Sequence, residues 1–224
     1  MTAAPGVTGF ERDGALPERY DFWVVDLDGT LVDVDREHIH SVLERVGDRF
    51  GCTFTDREAE VLWYGFGEAR GNVLDRHGID PGRFWQVFNA VEDPDRRAAA
   101  THFCADATAV GELDGPVALL THCPESLTRP VLGRYDIRDW FDTVVCCTDE
   151  TGWKPDPEPV RRALNGLGVR GDRAGALVGD GPGDVGAAWN TGLAGVHVRR
   201  HDPGRSEQCV LADHRIDDLG ALRG

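Results

Sequence analysis

The chain has 224 residues, 41% of them hydrophobic, which is enough for a buried core in one elaborate domain or two small ones. Its 39 acidic and 24 basic residues give a formal net charge of -15, a balance that repels nucleic acid and anionic membranes. No stretch approaches the 18 or so apolar residues of a membrane span, and residues 1–20 have neither the basic start nor the apolar centre of a secretory signal, so a cytoplasmic protein is expected.

The charged residues are unevenly chosen: 26 Asp, 13 Glu and 23 Arg stand beside a single lysine, Lys154. A carboxylate-rich surface nearly without lysine suggests a protein adapted to high salt, where screening suppresses self-repulsion. The six cysteines, at 52, 104, 123, 146, 147 and 209, form no C-x-x-C or zinc pattern. They read as small buried residues or free thiols, and no motif supports a nucleophile at Cys123.

In chain order, residues 1–20 predict an irregular extension. Residues 21–26 (DFWVVD) form a short apolar run that ends in Asp-Leu-Asp-Gly-Thr, the pattern of a buried strand feeding a loop. From 35 to 105 the sequence reads almost wholly helical. Ile39, Val42, Leu43 and Val46 recur at three-to-four spacing, and Val61, Leu62, Phe84, Val87 and Phe88 follow in later segments. Turn residues near 78–82 and at 93–94 divide the stretch. Further apolar runs at 117–121, 142–146, 175–179 and 194–198 predict strands, with helices expected at 125–134, 157–168 and 183–191.

Strands alternating with helices imply an α/β fold: a Rossmann-like parallel sheet covered by helices on both faces. Some seventy residues are too many for one crossover helix, so 35–105 is expected to be an inserted helical cap domain, with 21–34 and 106–224 forming the core domain.

Ligands of open parallel sheets bind beyond the carboxyl ends of the strands. The first strand ends in Asp26 and Asp28, the next core strand in Thr121, and the last-but-one in Asp180, with Asp184 four residues on; Lys154 follows the strand between. Carboxylates converging there need a cation, and an all-oxygen donor set suits Mg²⁺ better than zinc. A lysine and a threonine hydroxyl at the same rim, beside the turn at Gly29, suit an anion. Mg²⁺ with an anion cradle points to phosphoryl transfer.

VVDLDGTLVD (24–33), LLTH (119–122), WKPDPEP (153–159) and VGDGPGD (178–184) resemble the four motifs of the haloacid dehalogenase superfamily, in order and at suitable separations. The chain is most similar to the branch of phosphoglycolate phosphatase and β-phosphoglucomutase. The resemblance implies Asp26 as nucleophile, Asp28 as general acid and base, and Thr121 and Lys154 as phosphoryl ligands. It implies Mg²⁺ on Asp26, the main-chain carbonyl of Asp28 and Asp180, with Asp184 ligating or orienting a metal-bound water.

The expected substrate is a small phosphorylated metabolite. His38, twelve residues after Asp26, and Arg70, in a Gly67-x-x-Arg70 loop, match cap residues that contact substrate in such relatives. His122 stands where many relatives have Asn, and Gly181-Pro182 replaces a Ser-rich opening. A phosphatase is the leading expectation and a phosphomutase the alternative. A dehalogenase has no alkoxide for Asp28 to protonate, and a receiver-type signalling module has neither the second Asp nor the helical insertion.

Overall fold

β1 (Phe22–Val25) is four apolar residues, every one buried, because helices cover both faces of its sheet. The computed structural model describes residues 16, 19–65, 68–170, 172–200 and 210–223, so most of the expected 1–20 extension lies outside the described residues. In order there follow β2 (Val32–Val34), α1 (Arg36–Phe50), α2 (Asp56–Tyr64), α3 (Glu68–Arg76), α4 (Pro81–Val91), α5 (Pro94–Ala99) and β3 (Thr101–Phe103). The rest comprises β4 (Val117–Thr121), α6 (Glu125–Tyr135), β5 (Thr143–Cys146), α7 (Pro157–Gly166), β6 (Gly175–Gly179), α8 (Pro182–Thr191), β7 (Ala194–Val198) and β8 (His214–Ile216).

Six strands form one parallel sheet in the order β5-β4-β1-β6-β7-β8. Side chains alternate across it. Trp23, Val25, Val117, Leu119 and Val178 pack on one side with Val131 and Leu132 of α6. Phe22, Val24, Ala118, Leu120 and Leu177 pack on the other with Val160 and Ala163 of α7 and Ala187 and Ala188 of α8. Register sets the site: Val24 lies beside both Ala118 and Leu177, so β4, β1 and β6 end side by side at Thr121, Asp26 and Asp180.

Helices α1–α4 have a hydrophobic core of their own, built on Ile39, Val42, Leu43, Val46, Leu62, Phe84 and Phe88. Their starts follow from local chemistry. Thr55 and Glu58 form a reciprocal capping box at α2, while Asp80 and Asp93 cap α4 and α5, each followed by proline in the first turn.

The reading of 35–105 as helical needs one correction. β3 lies within it and pairs antiparallel with β2, Val32 beside Phe103 and Val34 beside Thr101. This two-strand ribbon carries the chain out to the helices and back. Strands of three residues leave no readable period; that holds for β2 and β3, whose partners lie some seventy positions apart, and for β8, which pairs with the preceding β7.

Candidate active site

Asp26 stays bound to the sheet at its own backbone, where its N–H donates to the Val178 carbonyl at 2.9 Å. The chain then turns at Gly29, whose φ of 80° favours glycine. A Cβ there would lie 2.5 Å from Oδ2 of Asp180, so the loop passes tightly against the neighbouring strand end. Arg200 anchors the same loop, donating to the Thr30 carbonyl from Nε at 3.0 Å and Nη2 at 2.7 Å, while its Nη1 donates to Asp106 at 2.8 Å. The Thr30 hydroxyl reaches Oδ2 of Asp26 at 3.4 Å.

Asp184 enters from the first turn of α8, with Oδ2 accepting the Gly181 N–H at 3.1 Å. Gly179 makes room, since a Cβ there would come within 2.2 Å of the Asp184 carboxyl carbon. The third carboxylate, Asp180, is steadied through its carbonyl by Nε2 of His197 at 3.0 Å. Carboxylate oxygens of Asp26, Asp180 and Asp184 all lie within 4.8 Å of one another.

Lys154 lies among them, 7% exposed. Its Nζ is 2.5 Å from Asp26 Oδ1, 2.7 Å from Asp184 Oδ1 and 3.2 Å from the Leu120 carbonyl. Burial lowers its pKa, but the charges of Asp184 and Asp26 more than reverse this and hold it above the usual lysine value, so it remains an ammonium. The carboxylates are less well served. Burial pushes Asp26 well above the usual carboxylate range; Lys154 pulls it back, and Asp184 and Asp180 push it up again. Asp184 is raised likewise, by burial first. One ammonium among three clustered carboxylates leaves a buried negative excess, and a hard divalent cation with oxygen ligands is what this donor set fits.

Thr121, 1% exposed, ends β4 with its hydroxyl accepting the Cys123 N–H at 3.0 Å. Beside it, Nε2 of His122 accepts the Lys154 N–H at 2.9 Å. Desolvation, then the charges of Lys154 and Arg70, hold the His122 pKa down to about 3, so the ring is neutral with its proton on Nδ1. The Cys123 thiol is pushed well up by burial and is no thiolate nucleophile.

The structure therefore brings together Asp26, Lys154, Asp180 and Asp184, with Thr121 at the adjacent end of β4. The Asp28 carboxylate is not in that cluster: its Oδ1 accepts from Nη2 of Arg97. Arg97 also donates from Nη1 to Glu92 at 3.0 Å, and Glu92 stands 3.6 Å from His38. His38 is thus linked to Asp28 only through Glu92 and Arg97, and is 8% exposed. Arg70 sits in the first turn of α3 rather than in a loop, Gly67 lying outside the described residues; its Nη2 donates to the Trp63 carbonyl at 2.6 Å, and its guanidinium lies over the Trp85 ring. It is close enough to act electrostatically on His122 of the core. Glu92, Arg97, Arg200 and His197 escaped the sequence reading, which holds no local signal for a buried arginine.

Carboxylates and an ammonium at the strand ends of a parallel sheet, with a helical insertion after the first strand, define a capped α/β hydrolase. Residues 109–198 match the family model of haloacid dehalogenase-like hydrolases. Over 220 residues the chain is 30% identical to a plasmid-borne phosphoglycolate phosphatase of Cupriavidus necator, covering 89% of this chain and 90% of that one. Among solved structures, a haloacid dehalogenase-like family hydrolase of Streptococcus pneumoniae superposes with a TM-score of 0.69 at 17% identity, covering 89% and 95% of the two chains. CbbY of Rhodobacter sphaeroides, solved with phosphate, also gives 0.69, at 18% identity over 90% and 95%. The chain belongs to the haloacid dehalogenase-like hydrolase family.

Proposed function

We propose that the protein is a Mg²⁺-dependent phosphatase of a small phosphorylated metabolite, working through an aspartyl-phosphate on Asp26. The observation that carries this is the buried Asp26 carboxylate, bound to Lys154 at 2.5 Å and grouped with Asp180 and Asp184 next to the Thr121 strand end. The names of its relatives point the same way: the Cupriavidus necator protein is a phosphoglycolate phosphatase.

In this reading the Thr121 hydroxyl and the Lys154 ammonium bind the phosphoryl oxygens and fix phosphorus in front of Asp26. A carboxylate oxygen of Asp26 forms the new bond to phosphorus as the ester oxygen leaves, and Asp28 gives that oxygen its proton. Asp28 then takes a proton from the water that attacks the aspartyl-phosphate, releasing phosphate and restoring both residues. Mg²⁺, held by Asp26, Asp180 and Asp184 with the Asp28 carbonyl, would offset the negative charge of carboxylates and phosphate. The 35–105 cap limits bulk water and supplies substrate contacts, Arg70 and His38 among its residues. The acidic, lysine-poor surface supports work in a salt-rich cytoplasm.

The test is phosphate release from a panel of phosphate esters, 2-phosphoglycolate included, with and without Mg²⁺, for the parent and Asp26→Asn. The expected result is Mg²⁺-dependent release that the variant loses while its circular dichroism is unchanged. Substantial turnover by Asp26→Asn removes the nucleophile. Transfer of the phosphoryl group to a second sugar hydroxyl without free phosphate makes the enzyme a mutase.

A further inference from the structure

Arg97 is costly where it stands. Its side chain is 4% exposed, and a guanidinium withdrawn from water destabilises the fold unless charge partners meet it. Two carboxylates do: Nη1 donates to Glu92, itself 1% exposed, and Nη2 donates to Asp28 across 69 positions of sequence. The guanidinium carbon also lies 5.1 Å from the centre of the Trp63 ring, and the Arg97 carbonyl accepts the Thr101 hydroxyl at 2.8 Å. Arg97 is therefore fixed in the segment that returns the cap to the core, with one arm on a residue of the β1–β2 loop.

We propose that Arg97 is a positioning residue for Asp28, fixing its carboxylate for proton exchange with the leaving group. The inference rests on the acid and base role given to Asp28 above. Its chemistry is specific. A guanidinium only donates, so Oδ1 of Asp28 is committed as an acceptor and the exchanged proton rides on Oδ2. In the first step Oδ2–H gives its proton to the departing ester oxygen, and the carboxylate left behind keeps its bond to Arg97. In the second, Oδ2 takes a proton from water. The Asp28 side chain, 32% exposed against 4% for Arg97, stays accessible while its partner is sealed. Glu92 holds the other arm, so that the fork cannot swing away from Asp28. A lysine could supply the charge but not both bonds in one plane.

The experiment compares kcat/KM for 2-phosphoglycolate, whose alkoxide needs a proton to leave, with that for p-nitrophenyl phosphate, whose aryl oxide leaves with little help. The variants are Glu92→Gln/Arg97→Gln, which removes both buried charges of the cap-side pair, Glu92→Gln/Arg97→Lys, and Asp28→Asn as reference, each in saturating Mg²⁺ and checked for folding by thermal melting. The expected result for the Gln/Gln variant is a loss of about 10²-fold on the alkyl ester, the scale of a misplaced catalytic group. The loss on the aryl ester is within a few-fold, the Gln/Lys variant regains part of the ratio, and Asp28→Asn shows the same selectivity. Equal losses on both esters, or an unchanged ratio in a folded variant while Asp28→Asn remains selective, overturn the positioning role alone. An unselective Asp28→Asn removes the acid role, and the positioning role with it. Should the Gln/Gln variant fail to fold, Arg97→Lys alone gives the same reading with a smaller change.

Discussion

Replacing Lys154 by methionine keeps the volume of the side chain and deletes the ammonium that sits within 2.7 Å of both Asp26 and Asp184. Two buried carboxylates then face each other and Asp180 without it, and removing one member of a buried ion pair costs about 3–5 kcal/mol. For a chain of this size each kcal/mol shifts Tm by about 2–4 °C, so a fall of roughly 10 °C is expected at pH 8 without Mg²⁺. The pH dependence has a definite sign. Asp26 and Asp184 are raised in the folded state, chiefly by burial, so the folded protein holds their protons more tightly than the unfolded chain. Their penalty is absent below the unfolded value of about 3.9 and grows as pH rises through the folded values. Lys154 is itself raised, so its contribution is fully present throughout this range and is lost only at far higher pH. The difference between parent and variant should therefore shrink from pH 8 to pH 5, as the carboxylates take up protons. Differential scanning calorimetry at both pH values is the assay. In the same variant phosphatase turnover should fall by about 10²–10³-fold, the effect of losing one preorganised donor. A variant that melts with the parent at pH 8 would show that the ammonium is not what holds these carboxylates together.

Three further outcomes follow from the same geometry. Mg²⁺ should raise the melting temperature of the parent more at pH 8 than at pH 5, because binding must displace the protons that burial retains on Asp26 and Asp184; an equal shift at both pH values contradicts the donor set. Gly29→Ala forces a side chain onto a φ of 80° with its Cβ 2.5 Å from Asp180, and calorimetric titration should show Mg²⁺ binding about 10–100-fold weaker. Raising KCl from about 0.1 M to about 1 M shortens the screening length from about 10 Å to about 3 Å, and with a net charge of -15 the melting temperature should climb; a flat profile rules out the high-salt reading of the surface.

Much of this enzyme is written locally. A strand inside a covered parallel sheet must be a nearly uninterrupted apolar run, and all five of the runs that predict strands correspond to β1, β4, β5, β6 and β7 within a residue or so. The candidate site stands at their carboxyl ends, where the backbone stops pairing and side chains can converge, so the positions of Asp26, Thr121 and Asp180 follow from reading the residue that closes each run. The single lysine of the chain likewise marks itself. The helical insertion declares itself through its period and through the Asp-Pro starts of α4 and α5.

What required the fold is every contact between distant segments that lack a period of their own. β2 and β3 are too short to announce themselves, yet their pairing creates the ribbon joining cap to core. The sequence places Asp26 and Asp28 together at one strand end. Only the packing separates their surroundings, giving Asp26 to Lys154 and Asp28 to Arg97. Arg97 and Arg200 look like any of the other arginines of the chain, because what distinguishes an inward-facing guanidinium is the set of carboxylates that meet it: besides nearby Glu92, Arg97 meets Asp28 from 69 positions away, and Arg200 meets Asp106 from 94.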